Sequence, residues 1–178
     1  MSGIVGSSHN IRGSGIVAKL GTDGQVFTSA GAGLSQTFED AAGGGKVLQV
    51  VSASDSTSRT TTSNSFAVNS NTLQLDITPA ATSSKILIIC DPSSYNATGK
   101  WGLTVFRDST QLGDATYGLA WALNTAGHNV GSCHILDSPS STSAITYGVQ
   151  FRSETCGVTT EINYNGATSV ITALEIGA

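Results

Sequence analysis

From Lys46 onward the chain is a succession of short β-patterned segments, and that pattern constrains the fold more than any other feature. "TLQLDIT" (72–78) sets Leu73, Leu75 and Ile77 against Gln74 and Asp76, the period of two expected of a half-buried strand, and Pro79 stops it. "KILIIC" (85–90) is apolar throughout, as expected of a strand covered on both faces. "KVLQVVS" (46–52), "WGLTVFRD" (101–108), "SAITYGVQFRS" (143–153), "VTTEINYN" (158–165) and "SVITALEI" (169–176) read as further strands, with Ile145, Tyr147, Val149 and Phe151 on one face of the third. "CHIL" (133–136) adds another, and "YGLAWALN" (117–124) fits either a strand or a short helix. About eight short strands separated by Ser, Gly, Pro and Asn turns, without a repeat or an amphipathic helix, predict an all-β, antiparallel β-sandwich of jelly-roll type. The immunoglobulin-like alternative lacks its Cys…Trp…Cys spacing.

The first 45 residues differ in kind. They hold eleven of the 21 glycines and end in Gly43-Gly44-Gly45. Glycine loses the most backbone freedom on folding, so such a segment is expected to take its order from something it docks against. Its short apolar groups, Ile4, Val5, Ile16, Val17, Leu20, Val26, Phe27, Leu34 and Phe38, are the candidate anchoring and assembly contacts. "TDGQVFTS" (22–29) reads as a turn at Asp23-Gly24 entering a short strand. The expected organisation is an extended arm over 1–45 and a β head over 46–178.

Charged residues are 11% of the chain, against roughly 25% in an average globular protein. Hydroxyls replace them: 25 Ser and 22 Thr. A net charge of −4 is too small for charge-driven disorder. The eight basic residues form no run, so neither nucleic acid nor an anionic membrane is an expected partner. The opening "MSGIVGSSHN" lacks the basic and apolar regions of a signal peptide, which predicts a chain made and kept soluble in a cytoplasm.

Fragments that imitate chemical sites fall short of their chemistry. "GSGIVA" (13–18) matches a dinucleotide fingerprint without the strand and helix that would hold a pyrophosphate. His128, Cys133, His134 and Asp137 are too irregularly spaced to predict a zinc site. No G-x-S-x-G elbow is present, and neither an acid pair nor an Asp-rich calcium loop is marked. No enzymatic activity, cofactor or metal is therefore expected. Cys90, Cys133 and Cys156 read as small buried side chains, with one bridge among them left open. Glu175 reads as a solvent-facing carboxylate or a subunit contact. Tyr95, Trp101, Tyr117, Trp121 and His128 are the candidate ligand or partner surface.

Two stretches carry a resemblance. "RGSGIVAKLGTDGQVFTSAGAGLSQTFEDAA" (12–42) resembles a segment near the N-terminus of structural proteins of tailed bacteriophages, especially marine and cyanobacterial ones. "ITPAATSSKILI", "YGVQFRS" and the closing "SVITALEI" resemble C-terminal domains of phage fibre and decoration proteins, whose strand pattern is similar to the trimeric jelly rolls of the tumour-necrosis-factor and complement-head type. The resemblance implies a homotrimeric virion component without catalytic residues: a capsid-surface decoration (cement) protein or short head fibre that binds a capsid or other virion protein. The alternative it leaves is a tail-associated fibre or adhesin contacting host surface glycans. The implied location is the virion surface.

Overall fold

The computed structural model describes residues 25–28, 37–40, 46–66, 73–122, 127–155 and 157–177. The chain divides into two compact units, Met1–Gly44 and Gly45–Ala178. In the first, strands β1 (Gln25–Thr28) and β2 (Thr37–Asp40) pair antiparallel, with Phe27 opposite Phe38. The expected strand after Asp23-Gly24 is therefore present; the turn itself lies outside the described residues.

The second unit holds the remaining strands: β3 (Val47–Asp55), β4 (Arg59–Thr61), β5 (Gln74–Ile77), β6 (Lys85–Cys90), β7 (Ser93–Asn96), β8 (Trp101–Arg107), β9 (Thr110–Leu112), β10 (Ala120–Ala122), β11 (Gly127–Val130), β12 (Cys133–Asp137), β13 (Ile145–Ser153), β14 (Thr160–Ile162) and β15 (Ser169–Ile176). One sheet has the order β12-β6-β15-β3, and its continuation has the order β11-β7-β14-β4. Consecutive pairs occupy the same place in both orders, so these are four long strands, each broken once. Pro92, which has no N–H to give a ladder, marks one break, and the left-handed Asn163 and Asn165 mark another. The facing sheet runs β10-β8-β13-β5, with β9 and β10 sharing one edge of β8.

Counted as eight in chain order, the strands lie sixth-third-eighth-first in one sheet and fifth-fourth-seventh-second in the other. This is the arrangement of a jelly roll, with each pair of named strands antiparallel. The predicted fold class is the observed one.

The core lies between the sheets. Leu73, Leu75 and Ile77 meet Tyr147, Val149 and Phe151 on one side, and Ile86, Ile88, Ile171 and Ala173 on the other. Alternation along each strand puts these side chains inward because every second Cβ points to the same face. The two outer faces are treated differently. On the β8–β13 side, Thr104 and Arg152 point outward yet are buried: Thr104 donates its hydroxyl to the Leu112 carbonyl, and Asn64 and Phe66 lie against Arg152. Arg152 Nη1 donates to the Asn64 carbonyl at 2.7 Å, its guanidinium lies over the Phe66 ring, and Ser153 N–H donates to the Ser63 carbonyl. Nothing comparable covers the other sheet among the described residues.

"KILIIC" corrects one expectation. Its inward residues Ile86, Ile88 and Cys90 are buried, while Leu87 is half-buried and Ile89 exposed, so β6 is covered on one face only.

Candidate functional site

The bare outer face of the β12-β6-β15-β3 sheet is the most distinctive surface of the head. Backbone register places Leu136, Leu87, Leu174 and Val50 directly opposite one another, one from each strand. This row of four aliphatic side chains crosses the whole sheet. The neighbouring row is His134, Ile89, Thr172 and Ser52. Leu48 and Val170 extend the apolar area on the same face. Val50 is 59% and Leu136 51% exposed, and Leu48, Ile89 and Val170 are exposed as well. Lys85 lies at one end of the face and Asp91 near the other; the carboxylates of the four strands, Asp55, Asp137 and Glu175, stand at positions of the opposite, inward parity. A contiguous aliphatic surface of this kind is unusual on a protein that remains alone in water.

Across the strand breaks the same face changes character. His128, Tyr95, Glu161 and Thr60 form the corresponding row in the β11-β7-β14-β4 continuation. Tyr164, from the turn after β14, stacks on Tyr95 with ring centres 4.6 Å apart and takes His128 edge-on at 4.6 Å. Ser58 donates to the Glu161 carboxylate beside them. A second aromatic group stands on the other sheet: Tyr117 meets Trp121 edge-on at 5.4 Å, Lys100 lies over the indole at 4.9 Å, and Trp121 Nε1 donates to Glu154 at 3.0 Å. Asp114 shapes this loop by accepting the N–H groups of Tyr117 and Thr116, which hold its carboxyl below the ordinary range.

Of the candidate surface aromatics, Tyr95 and His128 are thus brought together, as are Tyr117 and Trp121. Trp101 is not part of either group. It is 3% exposed and packs in the core, because β8 alternates it inward with Leu103 and Val105. Tyr164, Lys100 and Glu154 were not foreseen, since their partners are distant in sequence. The arm residues Val26, Phe27 and Phe38 fall on β1 and β2. Ile4, Val5, Ile16, Val17, Leu20 and Leu34 lie outside the described residues, as does the "GSGIVA" segment.

Glu175 overturns its expectation: it faces neither solvent nor a neighbouring subunit. Its place on β15 shares the inward parity of Ile171 and Ala173, and it is fully buried. The carboxylate accepts Gln49 Nε2 at 2.6 Å and the Ala80 N–H at 2.7 Å. Burial opposes its ionisation, but the nearby Ser84 hydroxyl and the hydrogen bonds from Gln49 and Ala80 outweigh that and hold the group below the usual glutamate value. Asp137 is likewise an interior group, paired to Arg107 Nη1 at 3.0 Å and accepting the Tyr147 hydroxyl at 2.6 Å. Neither carboxylate has a second acid beside it in these contacts.

His128, Cys133 and His134 do not converge: Cys133 points into the core and His134 to the outer face, and His128 is in the Tyr95–Tyr164 group. Among the described residues no cluster of three His, Cys, Asp or Glu side chains could hold a metal ion, and no helix is long and apolar enough to cross a membrane.

No family model matches the chain, and no curated protein matches it. Among solved structures it is similar to that of the Gt strain of infectious bursal disease virus, at 10% identity and a TM-score of 0.33, over 86% of this chain and 43% of that one. The Gx strain of the same virus gives 9% identity and a TM-score of 0.31, over 85% and 42%. The VP2 subviral particle of infectious bursal disease virus gives 10% and 0.30, over 86% and 42%. The chain spans less than half the length of each, and the likeness is a loose one of β architecture alone.

Proposed function

We propose that this chain is a non-enzymatic structural component of a tailed-phage virion, a capsid-surface decoration or short head-fibre protein. Its leading segment attaches it to the particle, and its jelly-roll head stands outward as a homotrimer. The observation that carries this reading is the uncovered aliphatic row Leu136–Leu87–Leu174–Val50. A row of half-exposed Val and Leu side chains gains by being covered, at about 1 kcal/mol for the exposed part of each large side chain. The resemblance of residues 12–42 to leading segments of phage structural proteins supports the particle as the place of assembly.

Antibody labelling of purified virions tests the location, and sedimentation of the purified protein at micromolar concentration tests the assembly. Label over the head together with three subunits in solution is the expected result. A clean monomer overturns the trimer, and label confined to the tail overturns decoration.

A second reading is a tail adhesin for host glycans, favoured by the Tyr95–Tyr164–His128 and Tyr117–Trp121 groups, whose ring faces and polar edges suit sugar rings. Glycan-array binding by the full chain, lost in Tyr164→Ala and Trp121→Ala, is its test. An array without signal removes it.

A further inference from the structure

Cys90 ends β6 and Cys133 begins β12, and the register sets them directly opposite each other. Opposed residues of antiparallel strands have Cα atoms about 4.5–5.5 Å apart, inside the range of about 4.4–6.8 Å that disulfides span. The two Sγ atoms are 2.8 Å apart. A shift of about 0.8 Å would bring them to the covalent length of about 2.0 Å. Both side chains point into the sandwich and are 1% and 2% exposed, so little else competes for either sulfur.

We propose that Cys90 and Cys133 are a cross-strand disulfide site, closed by exchange with a low-molecular-weight disulfide such as oxidised glutathione, and that the bond staples the edge strand β12 to β6. The step balances without any other reactant. One cysteine, as thiolate, attacks a glutathione sulfur and releases one glutathione thiolate. The second cysteine, also as thiolate, attacks the resulting mixed disulfide at the protein sulfur and releases the other. The protein loses two electrons and two protons, and one oxidised glutathione becomes two reduced ones.

The fold sets when this happens. In the closed sandwich the mutual hydrogen bond with Cys133, followed by burial, pushes the Cys90 thiol well above its ordinary pKa, so the attacking thiolate is scarce. Among the described residues β12 has β6 as its single neighbour in the sheet, and its detachment would expose both sulfurs at once. Once closed, the bond ties together positions 43 residues apart in sequence. It also fixes the strand that carries His134 and Leu136 of the outer face. The inference is independent of which particle, if any, the head decorates.

The test uses the full-length protein incubated with oxidised glutathione at mildly alkaline pH, then unfolded in denaturant with iodoacetamide and mapped by mass spectrometry. The expected result is an intact mass lighter by two hydrogens, with the Cys90 and Cys133 peptides joined and Cys156 alone alkylated. Reduction should lower Tm by on the order of 10 °C. Cys156→Ser should leave the joined pair unchanged. Alkylation of all three cysteines, a bridge through Cys156 or a persistent glutathione adduct would overturn the site. A joined pair whose reduction leaves Tm unmoved would overturn the staple.

Discussion

The buried carboxylate of Glu175 accepts the backbone N–H of Ala80 across 2.7 Å, tying the last strand of the sandwich to the turn that separates β5 from β6. Gln49 bridges the same point, donating from Nε2 to Glu175 and to the Thr78 carbonyl. The last strand, the first long strand and the turn after β5 therefore meet on one charged group. Hydrogen bonds to an ionised acceptor are stronger than neutral ones, and a buried donor left unmatched is costly.

This geometry predicts an acid limb in the stability of the head. The folded-state pKa of Glu175 is depressed, so its contribution is complete above the ordinary glutamate value of 4.5 and is lost as pH falls through the lower folded-state value. Glu175→Gln should flatten that limb, and Glu175→Leu should cost about 2–4 kcal/mol near neutrality by orphaning the Ala80 N–H and the Gln49 amide. Urea unfolding across the acid range measures both. An acid limb that is unchanged in Glu175→Gln would assign it to other carboxylates.

The Asp137 network predicts a graded pair of losses. Tyr147→Phe removes one donor while Arg107 continues to pair with the carboxylate, for a cost of about 1–2 kcal/mol. Asp137→Ala strands both the buried Tyr147 hydroxyl and the Arg107 guanidinium, and should cost more, about 2–4 kcal/mol. Burial first, and then the bond to Asp137, raise the Tyr147 pKa beyond the ordinary tyrosine range. In an alkaline titration followed by ultraviolet absorbance, one tyrosine should therefore stay silent until the head unfolds. Its early ionisation in the native protein would contradict the interior placement.

The strands show where sequence is informative and where it is not. β6 and β15 coincide with "KILIIC" and "SVITALEI", because strong apolar patterning and nearby turn residues specify both ends. β7, β9 and β11 are short and polar or mixed, as in "SSYN", "TQL" and "GHNV", and they exist because a long neighbour offers them a ladder. The aliphatic face was legible in a different sense. "KVLQVVS", "KILIIC" and "SVITALEI" each carry apolar residues on both parities, which signals two covered faces. Among the described residues only one of them is covered. Glu175 and Trp101 were misread because parity within a strand does not reveal which face is inward until the neighbouring strands are known.

The outer face yields a third prediction. Val50→Asp combined with Leu136→Asp places a charge at both ends of the aliphatic row. Both positions are exposed in the single chain, so the head should keep its fold, within about 0.5 kcal/mol per site. A charge buried at a subunit contact without a partner costs several kcal/mol, enough to dissociate an assembly that uses this row. Sedimentation should report a monomer for the double variant and an oligomer for the parent. An unchanged oligomer would place the contact on another face.

Two glycines in left-handed backbone separate strain from crowding. Gly118 has φ +74°, and a Cβ there would run into the Leu103 carbonyl oxygen and approach the Phe66 ring at 2.9 Å. The surrounding backbone cannot yield easily, since Leu119 N–H donates to that same Leu103 carbonyl at 2.8 Å and Gly118 N–H donates to Asp114 at 2.9 Å. Gly157 has φ +84° with nothing within 4 Å of the same position. Gly157→Ala should cost only the backbone penalty, about 1–2 kcal/mol. Gly118→Ala adds the collision to a similar penalty and should cost about 3 kcal/mol or more, while displacing Tyr117 from its contact with Trp121. Thermal unfolding gives the ordering, and tryptophan fluorescence reports the displaced aromatic pair. Equal losses at the two sites would mean that the loop over 113–119 relaxes freely and does not fix the Tyr117–Trp121 group.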